Sequence, residues 1–358
     1  MPERPLGIAF IGLHHQHPRW YWPLWAHLPQ YRPVAVCDPD EPFLRVENEL
    51  FKLDALTDPQ RVLERDDVDV VVLWTPHDQM PGLVEQAAAA GKHVIVEKPC
   101  AADVAGARRI VEAARRYPGV KISTPFCWRT HRGTAVLRDA IAHNHLGRIT
   151  AMEARLNAGG AGRYVRDNSP WMLSAAQGGG PMWNLGVHWI DCLQWLTGQR
   201  IVSVSGAVSG PVGDPPRDIE DNAQALCTFA DGAVAILDIS YGLTESYPGK
   251  RDIFVGLRGT HGSARWAPAW QGCDDDILLV SETSAADIPR SRTVRVTSRD
   301  LPGYCGEMAW TWLADFAQAV REDRSPLVSP ADILAAVQVA DAFYRSVTSG
   351  RRTATGLG

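Results

Sequence analysis

The first third of the chain repeats one pattern, a short apolar run followed by a longer amphipathic stretch, and that pattern admits few folds. Leu6–Ile11, Val34–Cys37, Val68–Trp74 and His93–Val96 are rich in Val, Ile and Leu. Strands buried on both faces read this way, and they belong to parallel sheets covered by helices. Two of the intervening stretches carry helix signals. Asp78–Ala90 is alanine-rich and stops at Gly91, a residue type suited to the left-handed cap. Asp103–Tyr117 begins on a residue that can cap it. A strand at Val120–Ser123 closes the series. Alternation of this kind predicts a doubly wound α/β domain.

The rest of the chain changes character. After a helix over about Ala135–His143, strand-like runs follow at Ile149–Leu156, Val202–Val208, Ala223–Phe229, Ala233–Ser240, Ile253–Leu257 and Thr293–Val296. Asp231-Gly232 suits a hairpin. Many strands with few helices predict an α+β domain with an open, largely antiparallel sheet. Ala158–Ser169 and Gly210–Asp218 read as irregular loops. A last helix is capped by Ser329, with Pro330 in its first turn and Asp332 at its positive end. Its apolar face is Ile333, Val337, Ala340, Phe343, Tyr344 and Val347. The tail after Gly350 is expected to fray. A length of 358 residues suits two domains, 1–124 and 125–358.

Composition narrows the functional classes. The formal charge is −5, with acidic and basic residues interspersed, so nothing marks a nucleic acid or anionic membrane as partner. No apolar run reaches the roughly 20 residues of a membrane span, and no signal-peptide pattern precedes Leu6. The expectation is a cytoplasmic protein. Seven scattered cysteines (37, 100, 127, 192, 227, 273 and 305) contain no C-x-x-C pair, which fits reduced, buried thiols. Thirteen tryptophans exceed ordinary usage; most belong in cores, but indole faces also suit sugar rings.

Three constellations can carry chemistry. The first is the turn after the first strand, Gly12-Leu13-His14-His15-Gln16-His17-Pro18, placed where a dinucleotide fold presents backbone N–H groups to a pyrophosphate. Only Gly12 remains of G-x-G-x-x-G. Asp38 ends the second strand, where a carboxylate accepts from ribose hydroxyls and repels a 2′-phosphate; it also suits a turn at Asp38-Pro39-Asp40. His14, His15 and His17 lack the spacing of a helical histidine pair, and no neighbouring Cys or Glu completes a set, so no metal is expected. They read as a polar turn in place of glycine backbone. The second constellation is Glu97-Lys98-Pro99 at the carboxyl end of a strand. Lys98 there can hold a substrate hydroxyl or relay a proton, or it is simply a surface lysine. The third is Gly178-Gly179-Gly180-Pro181-Met182-Trp183-Asn184-Leu185-Gly186-Val187-His188. If this segment is helical, Asn184 and His188 share a face. His188 is then a candidate base for alcohol oxidation, or a satisfied core histidine.

Taken together these residues resemble the Gfo/Idh/MocA oxidoreductases, over about residues 6–347. Ala90-Gly91-Lys92-His93-Val94-Ile95-Val96-Glu97-Lys98-Pro99 is similar to that family's A-G-K-H-V-x-x-E-K-P. Thr75-Pro76, Arg129, Gly147-Arg148-Ile149 and the pattern through Gly186, His188 and Asp191 agree in order and spacing. The resemblance implies NAD(P)-linked hydride transfer on sugars, inositols and related alcohols. It also implies a sheet that often forms an oligomer interface, hence a dimer or tetramer. Carried over by position, Lys98 looks like the substrate-binding lysine and His188 like the catalytic histidine. Asn184 falls where many members have aspartate, and Met80 where many have histidine. The cofactor is expected along Gly12, Leu13, His14, His15 and His17, with Asp38 on the ribose of NAD rather than NADP. Thr75, Pro76, His77, Glu97, Lys98 and Arg129 are expected to line its nicotinamide side. A sugar or polyol between the domains would meet Lys98, Asn184 and His188, with Arg163, Tyr164, Arg166 and Trp171 defining it. Two rivals remain: cleavage of a glycoside by transient oxidation and elimination, and a non-catalytic NAD- or sugar-binding regulator.

Overall fold

A computed structural model describes residues 4–244, 246–270, 274–283 and 289–357. These divide into two compact units. One runs to Pro125 and also takes in Tyr164–Gly178 and Leu301–Leu334; the other holds Phe126–Arg163, Gly179–Asp300 and the chain from Ala335. The first unit is therefore not one continuous stretch.

Its centre is a six-stranded parallel sheet of β1 (Leu6–Ile11), β2 (Tyr31–Cys37), β3 (Asp54–Leu56), β4 (Val70–Leu73), β5 (His93–Val96) and β6 (Ile122–Ser123). The spatial order β3-β2-β1-β4-β5-β6 is that of a Rossmann domain. β1 and β4 are buried along their whole length, as strands covered on both faces must be. The helices are α1 (Gln16–Trp25), α2 (Glu41–Phe51), α3 (Pro59–Leu63), α4 (Met80–Ala89) and α5 (Val104–Arg116). Asp103 caps α5 by accepting from Gly106 N–H at 2.7 Å, and Gly91 after α4 has φ +73°. The first helix was expected after the first turn but without bounds, because Pro18 and Pro23 break the usual signals. Pro18 sits in its first turn, where proline is tolerated. Phe10, Trp25 and Trp74 pack together in the core, the ring of Phe10 lying 5.2 Å from that of Trp74.

The second unit has a nine-stranded sheet. In chain order its strands are β7 (Ile149–Gly159), β8 (Ile201–Ser209), β9 (Asn222–Phe229), β10 (Val234–Leu243), β11 (Arg251–Gly259), β12 (Gly262–Trp266), β13 (Asp274–Ser281), β14 (Ser291–Thr297) and β15 (Thr353–Ala354). All neighbours are antiparallel except β7 and β10. Burial alternates along β9 and the start of β10, which meet through a turn at Asp231-Gly232 as expected. Its helices include α6 (Arg132–Ala142) and α8 (Val187–Thr197), while the short α7 (Gly162–Arg166) crosses between the units. The stretch 158–169 is thus not irregular throughout: it holds the end of β7 and α7. Gly206 lets the final helix approach β8, since a Cβ there would stand 2.7 Å from the Phe343 ring.

Two later helices complete the chain, α9 (Gly306–Arg321) and α10 (Pro330–Ser349). Ser329 caps α10 by accepting from Asp332 N–H at 3.2 Å, and the Asp332 carboxylate accepts in return from Ser329 N–H at 3.0 Å. The expected frayed tail is corrected: β15 pairs with β8, and Thr355 Oγ donates to the Ile201 carbonyl at 2.7 Å. That second pairing surface offsets the entropy that would free a terminus. Six of the cysteines are free and buried, and Cys273 lies outside the described residues. Among the described residues no helix is long and apolar enough to cross a membrane.

Candidate active site

In the first unit the carboxyl ends of β1, β2, β4 and β5 carry some of the expected residues: residues 12–17, Asp38, residues 75–77, Glu97 and Lys98. Gly12 follows β1 with φ +86°. A Cβ there would meet Thr75 N at 2.8 Å and Thr75 Cγ2 at 2.7 Å, so glycine alone lets the β1 and β4 turns approach. Asp38, 2% exposed, accepts from Leu13 N–H at 2.8 Å and from Asp40 N–H at 3.0 Å. Its carboxylate therefore fixes the first turn, and each oxygen keeps a further lone pair. His14 stacks on Phe43, with ring centroids 3.8 Å apart, and its Nε2 lies 3.5 Å from Asp40.

His15 caps α1, its Nδ1 accepting from His17 N–H at 2.9 Å. His17 Nδ1 lies 2.9 Å from Glu97 Oε2, and the His17 ring packs 4.6 Å from Tyr304. The expectation that no carboxylate completes the histidine set is thus corrected. Glu97 stands 80 residues further along the chain, and parallel-strand topology brings it there. His15, His17 and Glu97 offer ligand atoms within 4.8 Å of one another. Lys98, 3% exposed, carries its ammonium 3.7 Å from Glu97 Oε1. His77 points Nδ1 at the Gly178 carbonyl, 3.0 Å away. Trp171 Nε1 donates to the His14 carbonyl at 2.7 Å, and the indole packs edge-on to His77. Burial, and then the charge of Lys98, pushes His77 down from 6.5 to about 3; burial also holds His15 well below its ordinary value. Both imidazoles are neutral at neutral pH.

The crevice at these strand ends fits a bound dinucleotide. Gly12 leaves the backbone after β1 bare of a side chain, at the place where a dinucleotide fold presents N–H groups to a pyrophosphate. Four buried polar atoms make no hydrogen bond to protein: His15 Nε2, Thr75 Oγ, His77 Nε2 and Glu97 Oε1, the last with only the Lys98 ammonium at 3.7 Å. Buried polar atoms left without partners are uncommon and call for a ligand.

In the second unit, Met182–Gly186 forms a π-helical turn that runs directly into α8. Such turns recur at functional sites because they re-aim side chains. Asn184 is buried and donates through Nδ2 to Tyr241 Oη at 2.9 Å. His188 follows in the first turn of α8, half-buried, its ring edge-on to Phe126. Asp191 and Arg129 form a buried two-pronged ion pair, at 2.8 Å and 2.5 Å. The Arg163 guanidinium lies 5.5 Å from the Tyr241 ring. Tyr164 and Trp171, both buried, belong to the first unit, as does exposed Arg166. Tyr241 and Tyr304 were missed: neither lies in a motif, and only the tertiary fold reveals their contacts with Asn184 and His17.

Comparison with known proteins settles the family. Residues 6–123 match the model described as an oxidoreductase family NAD-binding Rossmann fold, and residues 134–265 match the GFO/IDH/MocA C-terminal domain. The chain belongs to the Gfo/Idh/MocA oxidoreductase family. As a member it is an enzyme with an NAD-binding Rossmann domain followed by an open, mostly antiparallel sheet. This Gfo/Idh/MocA chain is 24% identical to D-apiose dehydrogenase of Paraburkholderia graminis over 354 residues, 97% of this chain and 87% of that protein. It is 26% identical to scyllo-inositol 2-dehydrogenase (NAD(+)) of Bacillus subtilis over 350 residues, 96% and 93% of the two chains. A levoglucosan dehydrogenase solved with NADH and levoglucosan shares its fold, with a TM-score of 0.83 at 20% identity, covering 99% of this chain and 100% of that one.

Proposed function

We propose that this oxidoreductase transfers hydride between NAD and a hydroxyl-bearing carbon of a sugar, polyol or inositol-like substrate. One observation carries the reading. Buried Lys98 and Glu97 follow β5 beside three buried polar atoms, His15 Nε2, Thr75 Oγ and His77 Nε2, that make no hydrogen bond to protein, at the place where open α/β sheets bind ligands. The substrate class is supported by the relatives named for D-apiose and scyllo-inositol.

When bound, NAD supplies the hydride acceptor. The chain's own part is to hold the substrate and move the proton. Lys98 donates hydrogen bonds to a substrate hydroxyl, and its charge favours the developing alkoxide. His188 takes the hydroxyl proton in oxidation and returns it in reduction. Asn184, anchored on Tyr241, positions a substrate hydroxyl. Trp171 and Tyr164 supply aromatic wall, and Arg163 and Arg166 supply cations that select among hydroxylated substrates. Thr75, Pro76, His77, Glu97 and Arg129 serve the cofactor's nicotinamide side. Asp38 favours NAD over NADP, since a 2′-phosphate would meet like charge. Assembly is as a dimer or tetramer through the sheet.

Lys98→Met and His188→Ala test the roles directly. Each should lower turnover of a confirmed substrate by roughly a hundredfold or more, the scale of acid–base groups, while NADH still binds. Turnover near wild type in either variant contradicts the assignment. Net formation of NADH separates dehydrogenation from glycoside cleavage, in which the cofactor is regenerated within each cycle.

A further inference from the structure

Two histidines in the crevice are locked in opposite hydrogen-bonding senses. Because His15 Nδ1 accepts from the His17 backbone N–H, a neutral His15 carries its proton on Nε2. That Nε2–H is buried and reaches no acceptor among the described residues. His77 is the converse. Its Nδ1 faces the Gly178 carbonyl at 3.0 Å and must donate, which leaves a lone pair on Nε2. That atom too is buried and makes no well-formed hydrogen bond, although the Lys98 backbone lies near the ring. Gly178 has φ +78°, and a Cβ there would stand 3.1 Å from His77 Nδ1, so glycine permits this contact. Both rings pack against the Trp171 indole, with centroids 5.7 Å and 4.7 Å away.

We propose that His15 and His77 form a donor–acceptor pair that recognises a primary carboxamide, the head group of nicotinamide, through its oxygen and its –NH2 respectively. The proposal rests on the NAD reading and assigns two residues of this chain's departed glycine turn and Thr-Pro motif to it. A carboxamide is neutral, planar and both accepts and donates, as the two nitrogens require. A phosphate or carboxylate only accepts and would leave the His77 lone pair unmet. A metal ion fits worse, although His15, His17 and Glu97 offer a ligand set in number. His15 has no lone pair to give, since Nδ1 is engaged and Nε2 protonated, and the Lys98 ammonium already lies 3.7 Å from Glu97. Burial keeps both imidazoles neutral, which preserves the two senses.

The test is calorimetric titration of the full chain with three probes. These are NAD, its 3-acetylpyridine analogue, in which methyl replaces the amide –NH2, and ADP-ribose, which lacks the pyridine ring. Wild type should bind NAD about tenfold more tightly than the analogue, the size of one buried hydrogen bond left unmade. His77→Phe, which keeps a ring against Trp171, should weaken NAD to the level of the analogue. His15→Asn, which keeps a cap acceptor for α1, should weaken both by a similar factor, because both retain the carbonyl. ADP-ribose should bind all three proteins alike. Equal affinity of wild type for NAD and the analogue overturns the inference alone. So does an ADP-ribose affinity that falls with NAD in the variants, or stoichiometric Zn2+ binding that His15→Asn abolishes. Failure of wild type to bind either NAD or ADP-ribose removes the cofactor reading, and the inference with it.

Discussion

His77 has a consequence for the apoprotein that needs no substrate to measure. Its pKa falls from 6.5 to about 3 on folding, because burial and then Lys98 disfavour the cation. The unfolded chain therefore binds a proton that the native state refuses between those values. The stability this group contributes is complete above pH 6.5 and is lost as pH falls toward 3. Urea unfolding of His77→Gln should show a shallower decline between about pH 4 and 6, by roughly 1.4 kcal/mol per pH unit for one proton. An unchanged slope would mean that His77 is not held neutral. At this scale the sequence was partly legible. Gly12, Asp38, Glu97 and Lys98 reach one crevice because strand ends in a parallel sheet are brought together by topology, and the strands could be read. The pairing of His17 with Glu97 could not be read, since 80 residues separate them. Nor could the hold of Tyr241 on Asn184, which depends on the register of β10 beneath the π-helical turn.

Elements were legible where one signal sufficed. The buried strands of the first unit, the caps at Asp103 and Ser329 and the turn at Asp231-Gly232 each follow from local chemistry. Elements that depend on partners were not. β12 and β13 carry polar residues on an exposed face, and α1 contains two prolines. β15 has only two residues and exists because β8 offers an edge. Removing residues 351–358 deletes β15 and the hydrogen bonds of Thr355 to Ile201 and Val202. At about 1 kcal/mol for each hydrogen bond lost, with further burial lost beside them, the truncated chain should melt several degrees lower. An unchanged melting temperature would mean that the tail contributes nothing to the sheet.

At the scale of the whole molecule, the sheet of the second unit leaves Leu226 and Ile236 about half exposed on neighbouring strands. Apolar residues grouped on one sheet face mark an association surface. Sedimentation should therefore give a dimer or tetramer, and Leu226→Asp with Ile236→Asp should shift it toward the monomer; a monomeric wild type contradicts this. The enzyme class and cofactor rest on the family, and the proposed substrate class on the named relatives. The most direct measurement is a panel of sugars, polyols and inositols offered with NAD and with NADP, following the absorbance of the reduced nicotinamide. The account predicts stoichiometric NADH formation with at least one hydroxylated substrate, a clear preference for NAD over NADP, and loss of that activity in His188→Ala. Product formation without net NADH, activity confined to NADP, or full activity in His188→Ala would contradict it.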